Sequence, residues 1–73
     1  MARNSSSSFE IGDRFTKTGE TRAIVWVVTR SWTHVDGLLH VQLAKQARQS
    51  EVITVSAATL GDSTFFRPVP PAA

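Results

Sequence analysis

Between Phe9 and Val69 the chain consists of short runs of β-branched, aromatic or alternating residues separated by glycines at positions 12, 19, 37 and 61. Ala23-Ile24-Val25-Trp26-Val27-Val28-Thr29 and Glu51-Val52-Ile53-Thr54-Val55-Ser56 have the composition that fits a pleated, half-buried surface. Leu38-Leu39-His40-Val41-Gln42-Leu43 alternates after its first residue, so successive side chains fall on opposite faces of a strand. Phe9-Glu10-Ile11 and Arg14-Phe15-Thr16 flank Gly12-Asp13, and Phe65-Phe66-Arg67 ends the series. Only the stretches 43–50 and 56–60 have helical composition. The first is too short for a stable helix and predicts a hairpin loop. The pattern predicts five strands and no long helix.

The dipeptide Asp36-Gly37 is a strong signal for a two-residue type I′ turn, which needs positive φ at both positions. With those residues as the turn, Trp32 lies opposite Val41, Arg30 opposite Leu43 and His34 opposite Leu39. The other face then pairs Thr33 with His40, Ser31 with Gln42 and Thr29 with Ala44. Directly opposed residues share a face, so one face is mostly apolar and the other mostly polar. Extending the parity predicts a core of Ile24, Trp26, Val28, Leu39, Val41, Leu43, Ile53 and Val55, with Thr54 and Ser56 outside. Phe15, Leu60 and one of Phe65 or Phe66 complete it. A sheet with one apolar face must close on itself or be covered, and for strands this short a small barrel is the expected closure.

The order of these segments resembles an SH3-like barrel. A short first strand around Gly12-Asp13-Arg14-Phe15 precedes a polar loop at Lys17-Thr18-Gly19-Glu20-Thr21. A long second strand, two hairpin-linked strands, a turn at Ala57-Ala58-Thr59-Leu60 and a last strand follow. The chain also resembles small uncharacterised bacterial proteins of this shape through Ile11-Gly12-Asp13-Arg14-Phe15, Val25-Trp26-Val27-Val28, His40-Val41-Gln42-Leu43 and Ile53-Thr54-Val55-Ser56. The resemblance implies an all-β, five-stranded barrel over residues 9–69 with one 3₁₀ turn before the last strand, and no activity. Peptide-binding members build their groove from aromatics, tyrosines prominent among them, and this chain has no tyrosine.

Seventy-three residues form one domain with a small core. The absence of cysteine removes a disulfide framework, a thiolate metal site and a cysteine nucleophile, and favours a cytoplasmic location for so small a fold. Residues 1–8 are polar and serine-rich, without the apolar segment of a signal peptide, and predict a flexible arm. The Pro/Ala tail 70–73 is expected to be disordered. No window approaches the ~18 apolar residues of a membrane span. Although the sequence pI is ≈ 10.0, eight bases against six acids leave a net charge of only +2. Without Cys or Tyr little titrates between histidine and lysine, so a small excess of base raises the pI without making a strong field.

The same residues argue against chemistry. His34 and His40 are the only imidazoles, and the two-residue turn sets them on opposite faces, so no metal site is expected. Ser56 neighbours His40 across strands but no acid falls beside the pair, and Asp13, Asp36 and Asp62 adjoin glycines as turn residues do. No phosphate loop or dinucleotide fingerprint is present, and neither a cofactor nor a small-molecule substrate is expected. Binding remains. Trp32 near the hairpin tip, with Arg30 and His34 on its face, has the composition of an interaction hot spot, to which Lys17 and Arg22 could add charge. The alternative role for Trp32 is a cap on the open end of the barrel under Arg30. A protein partner or a second copy of the chain is expected. The alternative is weak nucleic-acid binding, with Trp32 stacking a base and Arg14, Lys17, Arg22 and Arg30 meeting phosphates.

Overall fold

A computed structural model describes residues 9–22 and 24–70. The expected arm at 1–8 and the tail from 71 onward lie outside the described residues. Five strands form one antiparallel sheet: β1 (Arg14–Lys17), β2 (Val25–Thr33), β3 (Leu39–Lys45), β4 (Arg48–Ser56) and β5 (Phe66–Pro68). Their order is β4-β3-β2-β1-β5. One helical turn, α1 (Ala57–Leu60), separates β4 from β5. The all-β expectation holds in that form, but the sheet is open. Its edges are β4 and β5, and α1 packs on β3, β4 and β5 where a closed barrel would pair strands. No helix among the described residues is long and apolar enough to cross a membrane.

The turn before the last strand is α rather than 3₁₀. Gly61 N–H donates to the Ala57 carbonyl four residues back, and Ser56 caps the start by accepting from Thr59 N–H at 3.1 Å. Leu60 and Ala57 point from this turn into the core. Phe9 to Ile11 add no strand. Ile11 is exposed, while Phe9 packs edge-on against Phe15 at 5.7 Å. The stretch expected as a loop at 43–50 is mostly strand, with Gln46-Ala47 as the turn between β3 and β4.

Phe15, Trp26, Val28, Val41, Leu43, Ala57, Leu60 and Phe66 form the core, with Ile24, Leu39, Ile53 and Val55 partly buried against it. Phe66 is therefore the inward phenylalanine, and Phe65 is 52% exposed. The strand β5 settles that parity by pairing Phe66 with Lys17 and Pro68 with Phe15.

The main hairpin departs from the two-residue turn. His34 N–H donates to the Leu38 carbonyl at 2.8 Å, which closes a loop of Val35, Asp36 and Gly37. Only Gly37, at φ +86°, has positive φ there, because Asp36 stays in the ordinary region and accepts from Leu38 N–H at 2.9 Å. A type I′ turn needs both residues at positive φ, so the chain takes the three-residue loop with a left-handed glycine instead. Trp32 accordingly pairs with His40, Thr33 with Leu39 and Arg30 with Gln42. A bulge between Val28 and Arg30 shifts the register again, so Val28 pairs with Leu43 and Trp26 with Lys45. The expected pairings of Trp32 with Val41 and His34 with Leu39 are not formed.

Candidate functional site

The register of the hairpin determines what surrounds Trp32. With Val41 and Leu43 directed into the core, their neighbours His40 and Gln42 face outward, and so do Arg30 and Trp32 opposite them. Val28 and Ser31 take the inner face on either side of the bulge, which Thr29 holds by donating its hydroxyl to the Gln42 carbonyl at 3.2 Å. Trp32 thus leaves the core side altogether, and it is half-buried where Trp26 is buried.

Four side chains form a row on this outer surface. The Arg30 guanidinium carbon lies 4.8 Å from the Trp32 ring centroid. The His40 ring stacks on Trp32 with centroids 6.0 Å apart and planes 20° from parallel. His34 follows, its centroid 5.1 Å from that of His40. At the row's end, His34 Nδ1 is 3.6 Å from an Asp36 carboxylate oxygen. The arrangement exposes a planar cation, an indole and two imidazoles side by side.

Beside the row, on the same face, a concavity of about 330 Å³ is lined by the apolar Val27, Ala44 and Val52, by Gln42, Gln46 and Gln49, and by Thr29 and Lys45. Gln42 pairs with Arg30 across the sheet, so the concavity and the row are continuous.

Of the residues singled out from sequence, Arg30, Trp32 and His34 are brought together. Lys17 and Arg22 are not. The Lys17 ammonium sits over Trp26, 5.3 Å from its centroid, sharing that ring with Lys45 at 5.7 Å. Arg22 is exposed in the segment leading into β2, two residues before Ile24. Trp26 and Trp32 are six positions apart on one strand, or about 20 Å, so those two bases belong to the far end of the sheet. Sequence reasoning missed His40 as a member of the row. Its signal was Gly37 read as the third residue of a longer loop, which moves every β3 partner by one.

The acid at the far end is satisfied locally. Glu51 accepts from Lys45 at 2.7 Å and from Arg48 at 3.3 Å. The Lys45 ammonium, chiefly, holds the Glu51 carboxyl below its usual pKa. Ser56, paired with His40, has its hydroxyl engaged with Thr59 in capping α1. Among the described residues, no group of three or more His, Cys, Asp or Glu side chains is placed to hold a metal ion.

Comparison of the chain with protein-family models, with curated proteins and with solved structures gives no match in any of the three.

Proposed function

We propose that this domain is a non-catalytic interaction module, an adaptor or accessory subunit, that binds a protein partner through the Arg30–Trp32–His40–His34 row. The observation that carries this reading is the outward placement of Trp32 between a guanidinium and an imidazole. Tryptophan and arginine are the residue types that concentrate binding energy at interfaces. The adjoining concavity is lined by apolar and amide side chains with one cation, Lys45, that is already paired with Glu51, which suits a protein surface better than a phosphate backbone. Proposed with it are an SH3-like arrangement and a cytoplasmic setting. Support for the first comes from the strand order β4-β3-β2-β1-β5 with a helical turn before the last strand. The absence of cysteine supports the second.

Nucleic acid is the second reading, favoured by the exposed ring under a cation. Because Lys17 and Arg22 lie at the other end of β2 and Arg14 pairs with Val27 from β1, Arg30 is the one base in contact with the Trp32 ring among the residues first assigned to phosphate. The salt slope expected for such binding is then about −1, with affinity micromolar or weaker.

The test places a photoreactive side chain at Trp32 and, as a control, at Arg67 on β5, in the intact chain. Crosslinks to one protein, or to a second copy, at position 32 but not 67 support the proposal. The partner so identified should bind purified wild-type chain and lose that binding with Trp32→Ala. Crosslinking to nucleic acid alone, or equal crosslinking at both positions, refutes it.

A further inference from the structure

The rings of His34 and His40, expected on opposite faces, meet near the hairpin tip with centroids 5.1 Å apart and planes inclined by 52°. In each ring the Nδ1 atom faces an oxygen, within hydrogen-bond distance only for His40. His40 Nδ1 lies 3.2 Å from the Leu38 carbonyl oxygen, and His34 Nδ1 lies 3.6 Å from the Asp36 carboxylate. An oxygen acceptor facing Nδ1 keeps the proton there and leaves Nε2 with a free lone pair. Metal-binding histidines are oriented in this way by carbonyl and carboxylate oxygens behind them. We infer that His34 and His40 form a two-imidazole site for a divalent transition-metal ion, Zn²⁺ in the first instance, with Nε2 of each ring as the donor.

The spacing can be checked against coordination geometry. A metal–nitrogen bond of about 2.0–2.1 Å places the ion about 3.2 Å from each imidazole centroid, so two such ligands at a tetrahedral angle have centroids about 5.2 Å apart. The observed 5.1 Å matches that spacing, so the two rings are already at chelating distance. At the right angle of a square-planar ion the spacing would be about 4.5 Å, so Cu²⁺ asks for a small closing motion that its higher intrinsic affinity can offset.

The scaffold is also fixed. His34 donates its backbone N–H to Leu38 and accepts from Gly37 N–H, each at 2.8 Å. Asp36 is tied to Leu38 N–H at 2.9 Å, which holds a negative charge beside the site. With two protein donors, and no group of three or more His, Cys, Asp or Glu side chains placed to hold a metal among the described residues, the remaining positions fall to water or to a ligand from another molecule. The affinity should therefore lie below that of a closed four-ligand site.

The inference stands apart from the partner-binding proposal, and its test uses the full chain with zinc chloride alone. Calorimetry is run on wild type, His34→Ala, His40→Ala and the double variant, with unchanged urea midpoints certifying the fold. Ring ¹⁵N spectra then show which nitrogens bind. One zinc per chain is expected, with Nε2 of both rings shifting and Nδ1 unmoved. Losing either imidazole removes the chelate and should weaken binding by at least about tenfold, with the double variant little worse than the singles. Copper should bind more tightly than zinc. Wild-type binding no stronger than that of the double variant overturns the inference, as does full retention in either single variant or a shift confined to one ring.

Discussion

Replacing Trp26 tests how the core is held and why the two tryptophans differ. The indole is 6% exposed, lies across from Phe15 in β1, and carries the Lys17 and Lys45 ammoniums over its face. Truncating a buried tryptophan to alanine costs about 3–5 kcal/mol, and two cations on the ring, each worth about 0.5–1 kcal/mol, place Trp26→Ala in the upper half of that range. A domain of this length has only about 4–11 kcal/mol of stability in total. At a urea slope of about 1 kcal/mol per molar, the midpoint should fall by roughly 4 M, a loss of about a third to all of that stability.

Trp26→Phe should behave very differently. The indole Nε1 is buried without a hydrogen-bond partner among the described residues, and such a group costs about 1–3 kcal/mol of desolvation. Phenylalanine removes that donor while keeping an aromatic face under the two lysines. The lost packing and the recovered desolvation should nearly cancel, leaving a net cost under about 1.5 kcal/mol. Urea unfolding followed by far-ultraviolet circular dichroism measures both variants without depending on tryptophan emission. If Trp26→Phe proves as costly as Trp26→Ala, the orphaned indole N–H is in fact satisfied and the reasoning fails. Trp32→Ala, on the outer face, should cost under about 1 kcal/mol in the same assay.

Val41 is fully buried while Thr54 is exposed, so Val41→Asp should abolish the cooperative urea transition and Thr54→Lys should move stability by less than about 1 kcal/mol. The folded-state pKa of Glu51 is lowered by Lys45, so its contribution is present above the unfolded glutamate pKa and lost as pH falls through the folded value. Urea midpoints measured from neutral pH into the acid range should therefore drop less steeply for Glu51→Gln than for wild type, and an unchanged profile would show that the pair contributes nothing. Cross-strand backbone contacts in nuclear Overhauser spectra should join Trp32 to His40 and not to Val41. Deleting Thr29 should remove the bulge while keeping Val28 opposite Leu43 and Arg30 opposite Gln42, so Trp32 stays outward and its access to quenchers is retained.

The core was legible because burial leaves a periodic mark. Trp26, Val28, Val41 and Leu43 are all buried as their pattern predicts, since a strand covered on one face must alternate. Phe66 was legible only as one of two candidates, because Pro68 ends the ladder too soon for parity to decide. The tip was misread for a local reason. Asp36-Gly37 serves both a two-residue and a three-residue loop, and the choice depends on whether Asp36 adopts positive φ, which its bond to Leu38 N–H opposes. Lys17 was drawn toward Trp32 by charge alone, when the nearer ring was Trp26, two places from where β1 meets β2.

The two irregularities of the hairpin act as a pair, which explains why the core prediction survived a wrong register. The extra loop residue moves β2 by one position against β3, so that Arg30 and Trp32 fall opposite Gln42 and His40. If that offset ran on unchanged, Val28 would share a face with outward residues and the core would lose its centre. The bulge at Thr29 restores the parity, returning Val28 to Leu43 and Trp26 to the inner face. With every residue of β2 retained, neither feature would be tolerated alone. Without the bulge, a three-residue loop would turn either the tip or the core inside out, and without the longer loop the bulge would do the same. Together they let one continuous strand bury a tryptophan at its start and present another at its end, and both partners in the proposed contacts, His40 and His34, follow from that reversal.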